Sequence, residues 1–326
     1  MEGLPFLPVQ ASTVAPQVDL LLLILIALSG FFTSIVIALI FYFGVKYRRG
    51  NNVDRSNPPT TSMRIELGWV GGLLVLGMGT YAWAAIIYFN ISRTPENPLD
   101  IYVVGEQWMW KVQHSEGPSE INELHVPTGR PVRLIMISQD VIHSFYVPAF
   151  RLKYDVIPGR YTNLWFEATR TGEYRLFCAE YCGTQHAVMG GRVVVMEPRQ
   201  YQEWLAVGSQ TGAPMADAGE QLFQQLGCSS CHAPDSGVRA PMLSGLFGQP
   251  VPLESGETVI ADETYIRESI LFPNEKVVAG YEPIMPSYEG RISEEQLLQL
   301  VSYIRSLGTD SGTGGETDQD TPRTGP

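Results

Sequence analysis

Two long stretches without a single charge constrain this chain more than anything else in it. Residues 20–45 read LLLLILIALSGFFTSIVIALIFYFGV, and residues 67–91 read LGWVGGLLVLGMGTYAWAAIIYFNI. Each exceeds the roughly 20 apolar residues that cross a bilayer core as a helix. A core helix of a soluble protein seldom runs so far uncharged. A cleaved signal peptide fits the first run poorly, because its apolar part exceeds the usual ~7–15 residues and no Lys or Arg precedes it. We therefore expect two transmembrane helices, 18–45 and 66–91, joined by a loop at 46–65. Lys46, Arg48, Arg49, Arg55 and Arg64 crowd residues 44–66 against only Asp54 and Glu66, while the first 19 residues contain no Lys or Arg. The positive-inside bias then places the loop in the cytoplasm. The short segment 1–17 and everything after residue 91 fall on the outer, oxidising side.

Beyond the second helix the pattern changes. Across 100–198, runs such as RPVRLIMI, YTNLWFEA, GEYRLFC and GRVVVM are rich in β-branched and aromatic residues and are separated by turn signals such as PTGR, IPGR and RTGE. This predicts one all-β domain, a small antiparallel sandwich or barrel. Residues 199–216 read as a linker. A helical domain follows at 217–308, opening at Asp217 with Glu220 three residues on and closing with a helix that starts at Ser293 with Gln296. Residues 309–326 have no apolar content and read as a disordered tail. The balance of 22 Lys+Arg against 34 Asp+Glu argues against nucleic acid as a partner.

The helical domain carries CSSCH at Cys228, Cys231 and His232. Two thiols at this spacing can add to the vinyl groups of a haem while the adjacent imidazole reaches the iron. Zinc would need two more ligands, and no further Cys or His follows His232. For the opposite face of the iron, Met215 lies upstream of the first helix and Met242 sits only ten residues past His232. Met285, in a Met-Pro loop, is the expected axial ligand; a thioether opposite His raises the haem potential and suits electron transfer.

The other two cysteines lie in CAEYCGTQHAVM, at Cys178 and Cys182, with Glu180, His186 and Met189 between and after them. A disulfide here would close a loop so short that it constrains the unfolded chain by only about 2 kcal/mol. It would also leave His186 and Met189 without a role. Zinc gains little from a thioether. Thiolate, thioether and imidazole on a β scaffold instead describe copper electron-transfer sites. Two thiolates can bridge a pair of copper ions if a second imidazole arrives from another loop. His143, in DVIHSFYVP, is the expected one; His114 and His125 compete but lie in a polar, Gly/Pro-flanked segment and read as solvated.

The chain as a whole resembles cytochrome c oxidase subunit II of the cytochrome-fused, caa-type haem-copper oxidases. The resemblance rests on the paired membrane helices, GEQWMW, DVIHSFYVP, LKYDVIPGR and the C-x-E-x-C-G-x-x-H-x-x-M pattern. The helical domain, with CSSCH, APMLSGLFG and the Met-Pro loop, resembles a class I cytochrome c, in which the proline here at 241 supports the proximal His232 through its carbonyl. The resemblance implies a multidomain membrane protein: a two-helix hairpin, a cupredoxin-like sandwich and an all-α cytochrome c domain. It implies a dinuclear copper A centre held by His143, Cys178, Cys182, His186 and Met189, with the Glu180 backbone carbonyl as a further ligand. The Glu180 carboxylate would help hold a magnesium ion shared with subunit I. Trp108, beside Trp110, would be the aromatic at which electrons enter, and Glu66 would stand at the cytoplasmic mouth of a proton path. The expected enzyme is an oxidase whose oxygen-reducing site lies on another chain, set in a bacterial plasma membrane with both termini and both metal domains outside. Its partners would be subunits I and III and an external electron donor, a soluble or membrane-bound redox protein or a bc complex. Met109 and Val112 depart from the family's Q-W-Y-W run and its following tyrosine, which puts a donor-docking patch near Trp108 in question. A copper chaperone would lack the cytochrome, a nitrous oxide reductase would need a large propeller domain, and a quinol oxidase subunit would have lost the ligands.

Overall fold

The computed structural model describes residues 7–54, 56, 61–208, 214–233, 236, 238 and 240–308. The 309–326 stretch and residues 209–213 of the expected linker lie outside the described residues.

The charge-free runs form α1 (Ala15–Lys46) and α2 (Met63–Ser92), both long and apolar enough to cross a membrane. At 1.5 Å per residue each exceeds a hydrocarbon core of about 30 Å. The start of α1 is tied to the β domain: the buried Asp19 carboxylate accepts from Arg151 Nε at 2.7 Å, Arg151 Nη2 at 2.9 Å and Gln10 Nε2 at 2.7 Å.

The β domain is a sandwich of two five-stranded sheets. One carries β1 (Leu99–Glu106), β2 (Met109–His114), β3 (Ser119–Ile121), β5 (Pro131–Ser138) and β8 (Thr162–Glu167) in the order β3-β2-β1-β5-β8. The other, in the order β4-β10-β9-β6-β7, carries β4 (Glu123–Pro127), β6 (His143–Val147), β7 (Leu152–Val156), β9 (Gly172–Cys178) and β10 (Gly190–Met196). The expected purely antiparallel sandwich needs correction, because β1 pairs parallel with β5 and β4 parallel with β10. The chain leaves the first sheet after β3, adds β4 to the second and returns as β5, so β1–β5 and β4–β10 become neighbours without a hairpin between them. Between the sheets Trp110, Val112, Leu134, Met136, Phe145 and Phe166 are essentially inaccessible. Val112 is thus a core residue and lies off any surface on which a donor could dock.

After the sandwich, Pro198–Gly208 forms α3, so most of the stretch read as a linker is helical. The helical domain contains α4 (Met215–Gln225), a single turn α5 (Ser229–His232), a small hairpin of β11 (Pro250–Pro252) and β12 (Thr258–Ile260), α6 (Glu263–Leu271) and α7 (Glu294–Ser306). The expected Asp217–Glu220 cap does not form. The helix begins at Met215, whose buried side chain and backbone N–H, bonded to Ser115 O at 3.2 Å, dock on the sandwich. The Ser293–Gln296 capping box does form, with both hydrogen bonds present. Helices α4 and α7 cross at Gly219, where a Cβ would run into the Gln299 carbonyl and the Tyr303 side chain. Glycine is required there by the closeness of the backbones.

The two domains share an interface. Tyr102, Val104, Ile135 and Ile137 point away from the sandwich core yet are buried, covered by Met215 and Leu298 of the helical domain and joined by Tyr161. Ion pairs frame this patch: Asp100 with Arg133 and Arg305, and Lys111 with Glu295.

Candidate metal and haem centres

Strands β6 and β9 pair so that Phe145 lies opposite Cys178, which brings the start of one strand beside the end of the other. The chain then turns through residues 179–189 and re-enters the sheet as β10, with Cys178 N–H bonded to Met189 O at 3.1 Å and Ala179 N–H to Ser144 O at 2.9 Å. This closed loop gathers five side chains. Cys178 Sγ lies 3.8 Å from Cys182 Sγ and 3.9 Å from His143 Nδ1; Cys182 Sγ lies 3.5 Å from His186 Nδ1 and 3.6 Å from Met189 Sδ. A disulfide needs its sulfurs about 2.05 Å apart, so the thiols are free and face each other across a gap that an ion could bridge. The Glu180 carbonyl also points in, accepting from Cys178 Sγ at 3.2 Å, while its side chain is exposed.

The electrostatics of the pair are lopsided. Burial raises the Cys178 thiol, but its hydrogen bonds, that to His143 foremost, outweigh burial and bring it down to about 6. Burial raises Cys182 too, and the neighbouring Cys178 sulfur adds to it, reaching about 12. Without a cation one thiol ionises at the expense of the other. Bound cations would remove that conflict and let both serve as thiolates. The donor set therefore fits soft, thiophilic ions such as copper.

Two residues that support this site were not anticipated. Asp140 Oδ1 accepts from His143 Nε2 at 2.8 Å, leaving Nδ1 free to face the sulfurs, and Asp140 Oδ2 accepts from the Gln107 backbone N–H at 2.7 Å. A carboxylate behind a ligating imidazole fixes its tautomer and orientation. Gln107 Nε2 and Trp108 Nε1 both donate to the Cys182 carbonyl, at 2.7 and 3.2 Å. Trp108 thus touches the cysteine loop directly. Gly183, at φ +115°, makes room for that contact, since a Cβ there would meet Gln107 Nε2 at 2.9 Å. Glu66 lies elsewhere, exposed in the first turn of α2.

The helical domain encloses a cavity of about 410 Å³ lined by Cys228, Cys231, His232, Met285, Leu300 and Ile304 among others. His232 Nδ1–H donates to Pro241 O at 2.9 Å, which leaves Nε2 as the free ring nitrogen. An apolar cavity with two thiols, a positioned imidazole and a thioether fits a covalently attached haem. Met242 also lines it but is 53% exposed, whereas Met285 is half-buried and packs against the domain core.

His114 and His125, read from sequence as solvated, are not. His114 is buried, bonded through Nδ1 to Tyr201 OH at 3.2 Å and through Nε2 to Glu120 at 2.8 Å, while His125 is bonded to the same carboxylate and stacks on Trp204. Burial works against the charge of Glu120, but the two imidazoles prevail and hold its carboxyl at about 2.

Comparison with known proteins agrees with the arrangement. Residues 118–197 match the family model for the periplasmic domain of cytochrome c oxidase subunit II, and residues 216–308 match that for cytochrome c. Cytochrome c oxidase subunit 2 of Alkalihalophilus pseudofirmus is 29% identical over 291 residues, covering 84% of this chain and 82% of that one. The alternative cytochrome c oxidase subunit 2 of Bradyrhizobium diazoefficiens is 28% identical over 211 residues, covering 55% and 75%. A crystal structure of the periplasmic domain of subunit II of cytochrome oxidase from Bradyrhizobium japonicum is 31% identical, covering 37% of this chain and 100% of that one at a TM-score of 0.36. With both domain models matched in tandem behind two apolar helices, the chain belongs to the cytochrome c oxidase subunit II family, in the form fused to a cytochrome c domain.

Proposed function

We propose that this chain is the electron-entry subunit of a terminal respiratory oxidase, receiving electrons at its cytochrome c domain and delivering them through its sandwich to subunit I. There oxygen would be reduced to water with proton pumping. The observation that carries this reading is the meeting of two thiols, two imidazole nitrogens and a thioether at one end of the sandwich, in a chain that also holds a cavity lined by Cys228, Cys231, His232 and Met285. Cys178, Cys182, His143, His186, Met189 and the Glu180 carbonyl would hold two copper ions. Cys228 and Cys231 would attach one haem c, with His232 and Met285 as its axial ligands. When bound, these groups supply reversible one-electron chemistry.

The remaining residues prepare for that chemistry. Asp140 holds His143 in one tautomer, and Gln107 and Trp108 brace the Cys182 carbonyl, so the ligand loop has little freedom to rearrange when charge changes. The exposed Glu180 carboxylate is free to meet a magnesium ion at the contact with subunit I. Trp108 is the aromatic through which electrons reach the loop, and Glu66 stands at the mouth of a proton path. Both termini and both metal domains lie outside the plasma membrane, with subunit III as a further neighbour. Fourteen acidic against six basic residues over 199–308 give the cytochrome domain a negative surface, which suits an external donor presenting a basic or apolar face.

Metal analysis and a visible spectrum of the purified full chain should give two coppers and one haem c per chain. A single copper, or none with haem intact, overturns the copper assignment. Met285→Ala should lower the haem potential by on the order of 0.1 V, whereas Met242→Ala should leave it in place. The reverse pattern in a redox titration would move the axial ligand to Met242.

A further inference from the structure

The second histidine cluster has no part in the copper or haem sites, yet it is organised more tightly than a solvated edge requires. Glu120 (in β3) and Glu123 and His125 (in β4) place their ligand atoms within 4.8 Å of one another. The two oxygens of Glu120 have different surroundings. Oε1 accepts from His114 Nε2 at 2.8 Å and from the His125 backbone N–H at 3.2 Å, while Oε2 is hydrogen-bonded to His125 Nδ1, a contact that an ion would replace. His114 is fixed in turn by Tyr201 OH, and the His125 ring lies 4.6 Å from the Trp204 ring at an interplanar angle of 17°. Three potential ligands therefore converge on rigid strands, and an outer imidazole orients one of them. Arg192 pairs with Glu123 at 2.6 Å from the solvent side. That pair is half-exposed, and breaking it costs little.

We propose that Glu120, Glu123 and His125 form a binding site for a divalent transition-metal ion of the zinc type, separate from the copper loop. One imidazole with two carboxylates and a fourth position open to water is a donor set that suits Zn²⁺. Calcium and magnesium prefer oxygen-only shells, and the site lacks the thiolates that would draw a softer ion away from the copper loop. His114 is a positioning residue: it bonds Glu120 Oε1 and leaves Oε2 on the His125 side, as outer hydrogen bonds do around metal-binding carboxylates. An ion here would pin β3 to β4. Through His114, Tyr201 and Trp204 it would also fix the root of α3, the helix that leads toward the cytochrome domain.

The test is a Zn²⁺ titration of the copper- and haem-loaded full chain in detergent, followed by calorimetry and by X-ray absorption at the zinc edge. Saturable uptake of one ion is expected, with nitrogen and oxygen neighbours and no sulfur, and excess Ca²⁺ should not compete. Affinity should fall by at least about tenfold in Glu123→Gln and in His125→Gln, and by about tenfold in His114→Gln, which removes no ligand. Glu123 is exposed, so its variant should fold normally, as intact copper and haem spectra would confirm. Absence of saturable uptake, uptake unchanged in both Glu123→Gln and His125→Gln, or sulfur in the zinc shell would each overturn the site.

Discussion

Replacing Cys182 with serine (Cys182→Ser) should abolish the mixed-valence copper resonance and lower oxidase turnover by at least about a hundredfold, while leaving the haem c spectrum unchanged. Cys182 is the hub of the loop, within 3.8 Å of the Cys178 sulfur, 3.5 Å of His186 Nδ1 and 3.6 Å of Met189 Sδ. A serine hydroxyl fills similar space but neither ionises in the accessible range nor offers a soft donor, so copper ions held here would lose one of their two thiolates. Loss of an outer hydrogen bond around a metal already costs 10–100-fold in affinity or activity, roughly, and loss of a bridging ligand should exceed that. The fold should survive, because the Cys182 backbone carbonyl still accepts from Gln107 and Trp108. The haem cavity is lined entirely by the helical domain, so its spectrum is an internal control. Electron paramagnetic resonance and a reduced-minus-oxidised visible spectrum on one preparation decide the matter; a surviving mixed-valence signal would refute the ligand assignment.

That the donor side chains gather was legible from sequence because most of them lie within one twelve-residue loop, whose spacing alone limits where they can point. His143 is the exception: it follows the strand-like run RLIMISQ, and its rivals His114 and His125 lie in a polar segment. What supports these ligands was not legible, because it depends on contacts made across the fold. Asp140 reaches His143 from three residues upstream and also caps the Gln107 N–H, a link that exists only once β1 and β6 are in place. His114 and His125 looked solvated because their flanks are polar. Their burial comes from Glu120 and from Tyr201 and Trp204 on α3, a helix in the stretch read as linker. Helix α6 lies between the two helices read from sequence and was not among them, although Asp262 caps its start by accepting from Tyr265 N–H, and Ile266 and Ile270 repeat at helical spacing. The interface between domains did leave a trace. In IYVV and RLIMI the apolar residues do not alternate with polar ones, as expected when a strand is covered on both faces. One face of those strands meets the sandwich core, and the other meets Met215 and Leu298.

That covered face makes Asp100 the residue on which docking of the cytochrome domain depends most. Its carboxylate accepts from Arg133 Nε at 2.7 Å and Nη2 at 2.9 Å, and from Arg305 Nη1 of α7 at 2.5 Å, with its side chain only 10% exposed. Asp100→Ala leaves two guanidinium groups facing each other at the edge of an apolar patch. Breaking a buried pair from one side costs about 3–5 kcal/mol. Here Arg305 keeps some solvent contact and Glu263 lies within 3.8 Å of it, so a loss nearer about 2 kcal/mol is expected. That corresponds to a shift of roughly thirtyfold in the docking equilibrium. The tether keeps the domains at an effective concentration near the millimolar range, so the variant should dock part of the time rather than separate completely. Amide exchange should therefore speed up along α7 and β5, and haem-to-copper electron transfer after a rapid reduction pulse should slow. The haem spectrum and the copper resonance should both be unchanged, since neither ligand set includes the altered residue. Lys111–Glu295 and the Arg267 bond to Gly159 O remain in place, so adding Lys111→Ala should deepen the effect in the same direction. Unchanged exchange in α7 together with an unchanged transfer rate would show that the ion pairs at this edge do not govern docking.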